Sequence, residues 1–327
     1  AGNVAGTWTK NYVYYVTGEL TIPTGQSLVI DPGVRVKFAK GTGLTANGSL
    51  QANGTEAQPI IFTSREATPL PGDWNGVTLN APSNSIRYVH LDYATNGFVG
   101  SNANGTTIEF TRLVGTLANN SKAIYLENSG NLRIRGNVIK NSGWGIYATN
   151  VSLSIINQNT IEGTYQSLNE IIGAIEVSLS GSSVSIDSNN IKSVGSGIEV
   201  LLSTSVSNAS YSISQNVINA SYSDNQQGTR YGLTFDQYGP YNTNISDMFI
   251  LSNKISVEGS NITAFRIYLY GAYENNYSVP INNLIIKQND IDQDYSSYDR
   301  GFLSLTFGIS RAGAAIIDSN KFISSNN

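Results

Sequence analysis

Short apolar segments with strict alternation recur along most of the chain. In residues 146–148 (Ile-Tyr-Ala) and 198–200 (Ile-Glu-Val), for example, two apolar residues flank one polar or aromatic residue. Alternation with a period of two over three or four residues predicts a very short β-strand with one buried face. No stretch of useful length has the longer period of a helix. The pattern therefore predicts an all-β chain built from many short strands.

A second pattern, Ile-x-x-Asn-x-Ile or its Phe-ended form, occurs seven times at intervals of 22 to 37 residues. A unit of this length without a helix cannot bury its apolar residues alone, but stacked copies share one core. We expect each Asn to adopt the left-handed backbone of a tight corner and to bond with the amides of neighbouring coils. The predicted ladder is Asn137, Asn159, Asn189, Asn216, Asn253, Asn289 and Asn320.

These repeats resemble a known family. LRIRGNVI (132–139), followed by GWGIYA (143–148), is similar to the parallel β-helix repeats of the pectate-lyase-like superfamily. VRVKFAKGTGLTANGSLQANGT (34–55), followed by GDWNGVTL (72–79), resembles the N-terminal coils of secreted bacterial and archaeal β-helix surface proteins. The resemblance implies a single-stranded right-handed parallel β-helix with an asparagine ladder over residues 26–327. An N-terminal strand or capping segment is expected over residues 1–25. Because the superfamily includes lyases, hydrolases, tailspikes, adhesins and surface proteins, it implies fold more than activity.

Composition narrows the function classes. Charged residues make up only 13% of the chain, and the formal net charge is −4. Lys and Arg are scattered singly, which disfavours nucleic-acid binding. The absence of cysteine excludes thiol chemistry and Cys-based metal sites, and no apolar segment reaches the length of a membrane span. We therefore expect a secreted, extracellular or cell-surface chain, processed to begin at Ala1, without cofactor or metal.

Low charge also bears on the environment of the protein. A surface of Asn, Ser, Thr and Tyr keeps its charge nearly unchanged in strong acid, where carboxylates are protonated. The composition resembles that of extracellular proteins of acidophilic, heat-loving archaea. It also produces many Asn-x-Ser/Thr sequons by chance, so the count alone does not establish covalent N-glycans as partners. The candidate sites are Asn47, Asn53, Asn104, Asn119, Asn150, Asn208, Asn219, Asn244, Asn261 and Asn276.

The middle residues of the alternating segments are expected to form one outward column. In it, Glu176 and Glu199 would lie on adjacent coils about 5 Å apart, the separation of the two carboxylates in a retaining glycosidase. Tyrosines in the same column would offer ring faces for stacking on sugars. The alternative is a solvated face on which two glutamates happen to stack. The full column is Tyr125, Tyr147, Glu176, Glu199, Thr234, Tyr268 and Ser304.

No complete catalytic set of the superfamily is visible, so we predict no catalytic residues. Glu176 and Glu199 are the candidates if the protein is an enzyme, and Tyr125, Tyr147 and Tyr268 are the candidates for glycan binding. His90 alternates with apolar neighbours and is expected to be an ordinary surface residue rather than a general base. The series Asp290, Asp292, Asp294 lacks the glycine and terminal glutamate of a calcium loop, so it predicts no metal site.

The leading functional hypothesis is a non-enzymatic extracellular structural protein. The repeat pattern continues to within five residues of Asn327, so we expect no separate cap after the last coil. We expect that coil to be covered by another subunit, so that the protein self-associates as a surface layer or filament through its coil ends or N-terminal strand. The alternatives are a polysaccharide-binding or polysaccharide-degrading β-helix and a viral tail-fibre or receptor-binding protein.

Overall fold

The computed structural model describes residues 2–116, 121–163, 173–180, 183–202, 208–222, 230–237, 244–259, 262–269, 281–295, 303–307 and 312–326. These residues form β-strands and turns, without a helix. A helix long and apolar enough to cross a membrane is accordingly not found among them. The chain divides into two compact units, residues 1–148 and 149–327.

The first unit is a succession of coils, each made of three consecutive strands. The strands are β1 (Gly2–Asn3), β2 (Gly6–Trp8), β3 (Val13–Val16), β4 (Leu20–Ile22), β5 (Ser27–Ile30), β6 (Arg35–Phe38), β7 (Gly43–Ala46), β8 (Ser49–Asn53), β9 (Ile60–Ser64), β10 (Gly76–Leu79), β11 (Ser85–Arg87), β12 (Val89–Asp92), β13 (Phe98–Ser101), β14 (Thr107–Glu109), β15 (Arg112–Thr116), β16 (Lys122–Glu127), β17 (Arg133–Arg135), β18 (Val138–Ser142) and β19 (Trp144–Val151), which ends in the second unit.

The second unit repeats this arrangement. Its further strands are β20 (Ser154–Asn157), β21 (Thr160–Glu162), β22 (Gly173–Leu179), β23 (Ser183–Asp187), β24 (Asn190–Val194), β25 (Ser196–Leu202), β26 (Ala209–Ser214), β27 (Val217–Tyr222), β28 (Arg230–Gln237), β29 (Ile245–Leu251), β30 (Lys254–Gly259), β31 (Ile262–Leu269), β32 (Ile281–Lys287), β33 (Asp290–Tyr295), β34 (Leu303–Phe307), β35 (Ala312–Asp318) and β36 (Lys321–Asn326).

Each unit contains three parallel sheets, because every strand pairs with the strand three places further along the chain. The first strand of a coil lies in sheet A, the second in sheet B and the third in sheet C. Strands β1, β2 and β3 already pair in this way with β4, β5 and β6. The segment 1–25, for which the sequence predicts a separate strand or cap, thus contains a coil of the same kind as the later ones.

Apolar residues of equivalent positions stack in register and form the core. In sheet B of the first unit, Ile86, Ile108 and Ile134 pair in succession and are fully buried. In the second unit, the first Ile of each repeat forms the corresponding column, as Ile186 pairs with Ile213. Burying one such side chain contributes about 1.5–3 kcal/mol, so repeated columns supply the main stabilisation of each coil. The predicted stacking of the repeats is confirmed.

A tight corner joins sheet B to sheet C, and its left-handed residue is not the one that we expected. The positive φ occurs at the residue before the ladder asparagine, for example 57° at Gln158 and 55° at Gln215. The ladder asparagines themselves are not among the residues with positive φ. The prediction of a left-handed Asn was therefore wrong. The preceding residue turns the backbone, and this turn directs the next side chain into the interior.

The buried amides form the predicted ladder. In the second unit, the Nδ2 of each ladder asparagine donates to the Oδ1 of the next at 2.8–3.0 Å, from Asn159 through Asn320. The same Oδ1 accepts the backbone N–H of the preceding asparagine. In the first unit, the Oδ1 of Asn137 accepts the N–H of Thr111, and its Nδ2 donates to the carbonyl of Ile108. These bonds offset the cost of burying each amide.

Candidate site on the outer face of sheet A

An aromatic cluster lies on sheet A of the first unit, where two tyrosines of the outward column stack. The ring centroids of Tyr125 and Tyr147 are 5.2 Å apart, and the ring of Trp144 stacks on Tyr147 at 4.9 Å. The Nζ of Lys122 lies 4.0 Å from the centroid of Tyr125 and 5.2 Å from that of Tyr147. We call Tyr125, Trp144 and Tyr147 the aromatic platform. Such a cluster can stack on a sugar ring and attract a polar ligand through its cation.

The platform also holds polar groups of its own. The hydroxyl of Tyr125 donates to the carboxylate of Glu127 at 2.6 Å. The Nε1 of Trp144 is buried and donates no hydrogen bond to any described residue. A buried indole N–H without a partner is unusual, because such groups normally find an acceptor. Trp144 was not singled out by the sequence, although its position three residues before Tyr147 in one strand was visible there.

The two candidate carboxylates occupy adjacent strands on the second unit's sheet A. Glu176 on β22 pairs in register with Glu199 on β25, and Glu199 pairs with Thr234 on β28. Because they alternate with the buried apolar residues of their strands, these side chains lie on the sheet face away from that core. The predicted juxtaposition is confirmed. However, the alternative interpretation of a solvated face is wrong at this point, since Glu176 and Glu199 are only 8% and 7% exposed.

The register of β31 corrects one member of the column. Thr234 pairs with Arg266, whereas Tyr268 pairs with Asp236. The expectation that Tyr268 continues the column from Thr234 was therefore wrong by two residues. A shift of two residues keeps the same side chains on the same face, so alternation alone could not detect it. Ser304 pairs with Arg266 as a member of the column.

Arginines and carboxylates from three neighbouring strands form a buried charged cluster, which we define as Glu199, Arg230, Asp236 and Arg266. The Nε of Arg266 lies 3.1 Å from the Oδ1 of Asp236. Asp236 and Arg230 are almost completely buried, and the side chain of Arg266 is 19% exposed. The guanidinium of Arg266 lies over the rings of Tyr231 and Tyr268, at 5.1 and 4.7 Å from their centroids. The sequence did not predict that either arginine belongs to this site.

Burial in this cluster changes the pKa of the Glu199 carboxyl group. Burial raises the pKa of Glu199 above its ordinary value of 4.5, and the negative charge of Asp236 raises that pKa further. A hydrogen bond with Ser196 and the charges of Arg230 and Arg266 act in the opposite direction. The Oε1 of Glu199 has no hydrogen-bond partner among the described residues. Glu199 therefore retains its proton to higher pH than a solvated glutamate.

His90 has charged neighbours that the sequence did not place. It is half-buried on sheet C of the first unit, and it pairs in register with Arg112. The Nη1 of Arg112 lies 2.8 Å from the Oδ1 of Asp92. Burial and the charge of Arg112 lower the pKa of His90. The histidine is thus half-buried beside an ion pair.

Arginines that look scattered along the sequence meet on sheet B of the first unit. The Nε of Arg87 lies 3.2 Å from the carboxylate of the buried Glu109, which also forms an ion pair with Arg133. Arg135 and Arg87 lie over the ring of Phe110, at 5.7 and 5.9 Å from its centroid. Stacking of coils therefore brings arginines from different repeats around one carboxylate.

The remaining predicted sites are the aspartate series on β33 and the sequon asparagines. Asp290 lies 3.8 Å from the Nζ of Lys321, and Asp292 and Asp294 are half-buried. Within the described part of the chain, no group of three His, Cys, Asp or Glu residues could hold a metal ion. Three sequon asparagines, Asn119, Asn261 and Asn276, lie outside the described residues.

Comparison with known families agrees with this architecture. A family model for a pectate-lyase like beta helix domain matches residues 3–124, and one for a right handed beta helix region matches residues 75–237. Together with the parallel sheets, these matches show that the chain is a right-handed parallel β-helix. Comparisons with curated proteins and with solved structures gave no match.

Proposed function

We propose that the protein is a non-enzymatic extracellular structural protein, a subunit of a cell-surface layer or filament. The burial of the two candidate catalytic glutamates is the observation that supports this proposal most. Glu176 and Glu199 are each less than one-tenth exposed. A glycosidase holds its two carboxylates on either side of a bound sugar linkage, which requires an open groove. Carboxyl groups buried to this degree are poorly placed to bind a sugar between them.

The ladder supports the same proposal from the interior. Each described ladder amide of the second unit is bonded along the stack, so the repeated polar residue contributes to cohesion between coils. Cross-coil amide bonds combined with buried Ile columns favour a stiff element. The scarcity of charged residues, 13% of the chain, suits a building block that must tolerate changes in pH and salt.

Self-association is part of this proposal, and β35 and β36 present the surface that we propose for it. Ile316, Ile317, Phe322 and Ile323 are between 37% and 53% exposed. Burying each of these side chains would contribute on the order of 1.5–3 kcal/mol. A contact between this surface and a different surface of the next copy is heterologous, and it extends into a filament when its rotation does not close.

Electron microscopy and light scattering of the protein from its own cells test the structural proposal. We expect a layer or filament, which the double substitution Ile317→Asp with Ile323→Asp converts into monomers. Val217→Asp is the matched control, because Val217 is similarly exposed, at 38%, but lies on β27. A native protein that stays monomeric at high concentration, with no ordered surface structure on the cells, would contradict the proposal.

Glycan binding at the aromatic platform is the second candidate function. The stacked rings of Tyr125 and Tyr147, the adjacent Lys122 and the unpartnered indole N–H of Trp144 favour it. Stacking on an aromatic side chain contributes on the order of 1 kcal/mol, so Tyr147→Ala should weaken polysaccharide binding about fivefold. Tyr15→Ala, on the exposed tyrosine of β3, should leave binding unchanged. Titration calorimetry against neutral and acidic polysaccharides that shows no binding to the native protein would eliminate this function.

A polysaccharide-degrading activity is tested with the same panel. Release of reducing or unsaturated ends by the native protein, abolished by Glu199→Gln, would contradict the non-enzymatic part of the proposal. Under the structural proposal, the native protein and Glu199→Gln give the same background signal. Cleavage and binding are measured separately, because the aromatic platform could bind a polysaccharide without cleaving it.

A further inference from the structure

The connections from sheet A to sheet B contain most of the sequons. Of the seven sequon asparagines within the described residues, five fall in these connections or at their borders, whereas the other two, Asn53 and Asn219, lie in β8 and β27. The five are Asn47 after β7, Asn104 after β13, Asn150 near the end of β19, Asn208 before β26 and Asn244 before β29.

The spacing of these sequons follows the coils. Counting three strands to a coil, Asn47, Asn104, Asn150 and Asn208 belong to the third, fifth, seventh and ninth coils. Only Asn244, in the tenth coil, departs from this alternation. Neighbouring strands of a sheet are about 4.8 Å apart, so attachment points two coils apart within one unit are separated by about 10 Å. Each attached sugar chain therefore has a space about two strands wide along the edge of the sheet.

Solvent exposure separates the regular positions from the exception. Asn47, Asn104, Asn150 and Asn208 are all exposed. Asn244 is only half-buried as a residue, but its Oδ1 is enclosed and has no hydrogen-bond partner among the described residues. Asn244 therefore presents less of its side chain to a transferase than the four exposed positions do.

Hydrogen bonds orient two of the exposed amides for modification. The Oδ1 of Asn104 accepts the backbone N–H of Gly130 at 2.7 Å, and the Oδ1 of Asn47 accepts the Nδ2 of Asn80 at 3.2 Å. In the described structure, neither Asn104 nor Asn47 donates a hydrogen bond through its Nδ2. The carbonyl side of each amide is thus anchored to the coil, and the nitrogen that would carry a sugar is available.

We propose that the A-to-B corner carries N-linked oligosaccharides at Asn47, Asn104, Asn150 and Asn208, and that Asn244 stays unmodified. This inference rests on the proposed extracellular location. The donor is a lipid-phosphate-linked oligosaccharide, handled by a transferase of the secretory route. The Nδ2 of the asparagine bonds to the anomeric carbon of the sugar and loses one proton, while the bond from that carbon to the phosphate oxygen breaks and the lipid phosphate leaves with the electron pair.

A glycosylated corner has a structural consequence for assembly. It places bulky, uncharged and hydrated groups on one border of each sheet A and leaves sheet C and the remaining border of sheet B without them. Contacts between copies are then directed away from the A-to-B corner. The sugars also add solubility without adding charge, which agrees with a chain whose net charge is only −4.

Glycopeptide mapping by mass spectrometry, on protein released from the surface of its own cells, tests the proposal. We expect sugar at the four exposed positions and none at Asn244. Extracellular protein that is unmodified at the four positions, or modified at Asn244 as fully as at them, would overturn it. Protein found only inside the cell would overturn the proposed location as well, so cell fractionation distinguishes the two failures.

A pair of substitutions in one sequon separates modification from folding. Ser152→Ala destroys the sequon of Asn150, whereas Ser152→Thr preserves it. We expect the first variant to lose the mass of one glycan and the second to retain it, with the same circular dichroism. If Ser152→Ala fails to be exported, Asn104→Gln provides the same comparison at an independent position. Equal masses for the native chain and a folded, exported variant would contradict modification at that position.

Discussion

The corner between sheets B and C is built differently in the two units. In the second unit, a glutamine or serine with positive φ precedes an asparagine whose amide bonds along the ladder. In the first unit, the same two positions contain Tyr88 and Val89, then Phe110 and Thr111, then Gly136 and Asn137. Positive φ persists at Tyr88, Phe110 and Gly136, with values of 48°, 52° and 62°. The backbone of the corner is therefore constant, while the side chains that stabilise it vary.

The aromatic version of the corner has its own packing rules. Tyr88 and Phe110 stack with their centroids 5.1 Å apart. A Cβ at Gly136 would lie 2.7 Å from the Phe110 ring, so glycine is required there both by its conformation and by the close ring. The hydroxyl of Thr111 donates to the carbonyl of Glu109 at 3.1 Å. The comparison teaches that the amide ladder is one of several ways to satisfy polar groups at a corner of fixed geometry.

Removing the central ladder amide should have the largest effect. Asn216→Leu leaves the backbone N–H and one Nδ2 hydrogen of Asn189 without their acceptor. At about 1–3 kcal/mol for each orphaned donor, the free energy of unfolding should fall by roughly 2–6 kcal/mol. Urea unfolding followed by circular dichroism measures the change. Thr111→Val, at the equivalent corner of the first unit, should cost only about 1 kcal/mol, and equal losses would show that the ladder amides have no special energetic role.

Adding one methyl group to the aromatic corner should have the next largest effect. Gly136→Ala combines a left-handed alanine, which costs about 1–2 kcal/mol, with overpacking against Phe110, which costs about 1–3 kcal/mol. The total loss should be roughly 2–5 kcal/mol by the same unfolding measurement. In a Phe110→Ala background, only the conformational part should remain. A loss that is identical in both backgrounds would exclude the ring contact as a cause.

A change at the charged cluster should stabilise the second unit in a pH-dependent way. Because the folded state raises the pKa of Glu199, folding retains a proton that the unfolded chain releases, and stability falls as pH rises above 4.5. Glu199→Gln removes this penalty, which is about 1.4 kcal/mol for each pH unit by which the folded pKa exceeds the unfolded one. The thermal midpoint of the variant should exceed that of the native protein at pH 7 and match it at pH 3. A midpoint difference that is the same at both pH values would contradict the buried, proton-retaining Glu199.

The smallest effect is expected on the outer side of the second unit's corner. The one hydroxyl hydrogen of Ser188 can be donated to the Oδ2 of Asp187 at 2.9 Å or to the Oε1 of Gln215 in the next coil at 3.3 Å, close to solvent. Solvent can replace either bond, so Ser188→Ala should change the free energy of unfolding by no more than about 0.5 kcal/mol. Comparison of the two unfolding free energies, for Ser188→Ala and Asn216→Leu, distinguishes the contribution of an exposed contact between coils from that of a buried one. A loss of several kcal/mol for Ser188→Ala would show that the exposed residues are structurally essential.

The sequence by itself determined the fold class and the ladder. Period-two alternation and the Ile-x-x-Asn repeat are local patterns, and a residue repeated once per coil must stack on its equivalents. For this reason the isoleucine columns, the amide bonds from Asn159 to Asn320 and the adjacency of Glu176 and Glu199 could all be predicted. The left-handed residue could not, because either Gln158 or Asn159 could have turned the chain, and only the direction of the buried amide distinguishes them.

Only the tertiary structure decided the contents of the charged cluster and the exposure of its members. The register of β31 placed Arg266 beside Thr234, since alternation is unchanged by a shift of two residues. Stacking then brought Arg266 and Asp236, 30 residues apart in the sequence, within 3.1 Å. Burial of Glu199 depends on groups from several coils, and no local pattern encodes it. A repeat fixes which residues stack because stacking is periodic, whereas solvent access and charge pairing arise from chain segments that do not share the period.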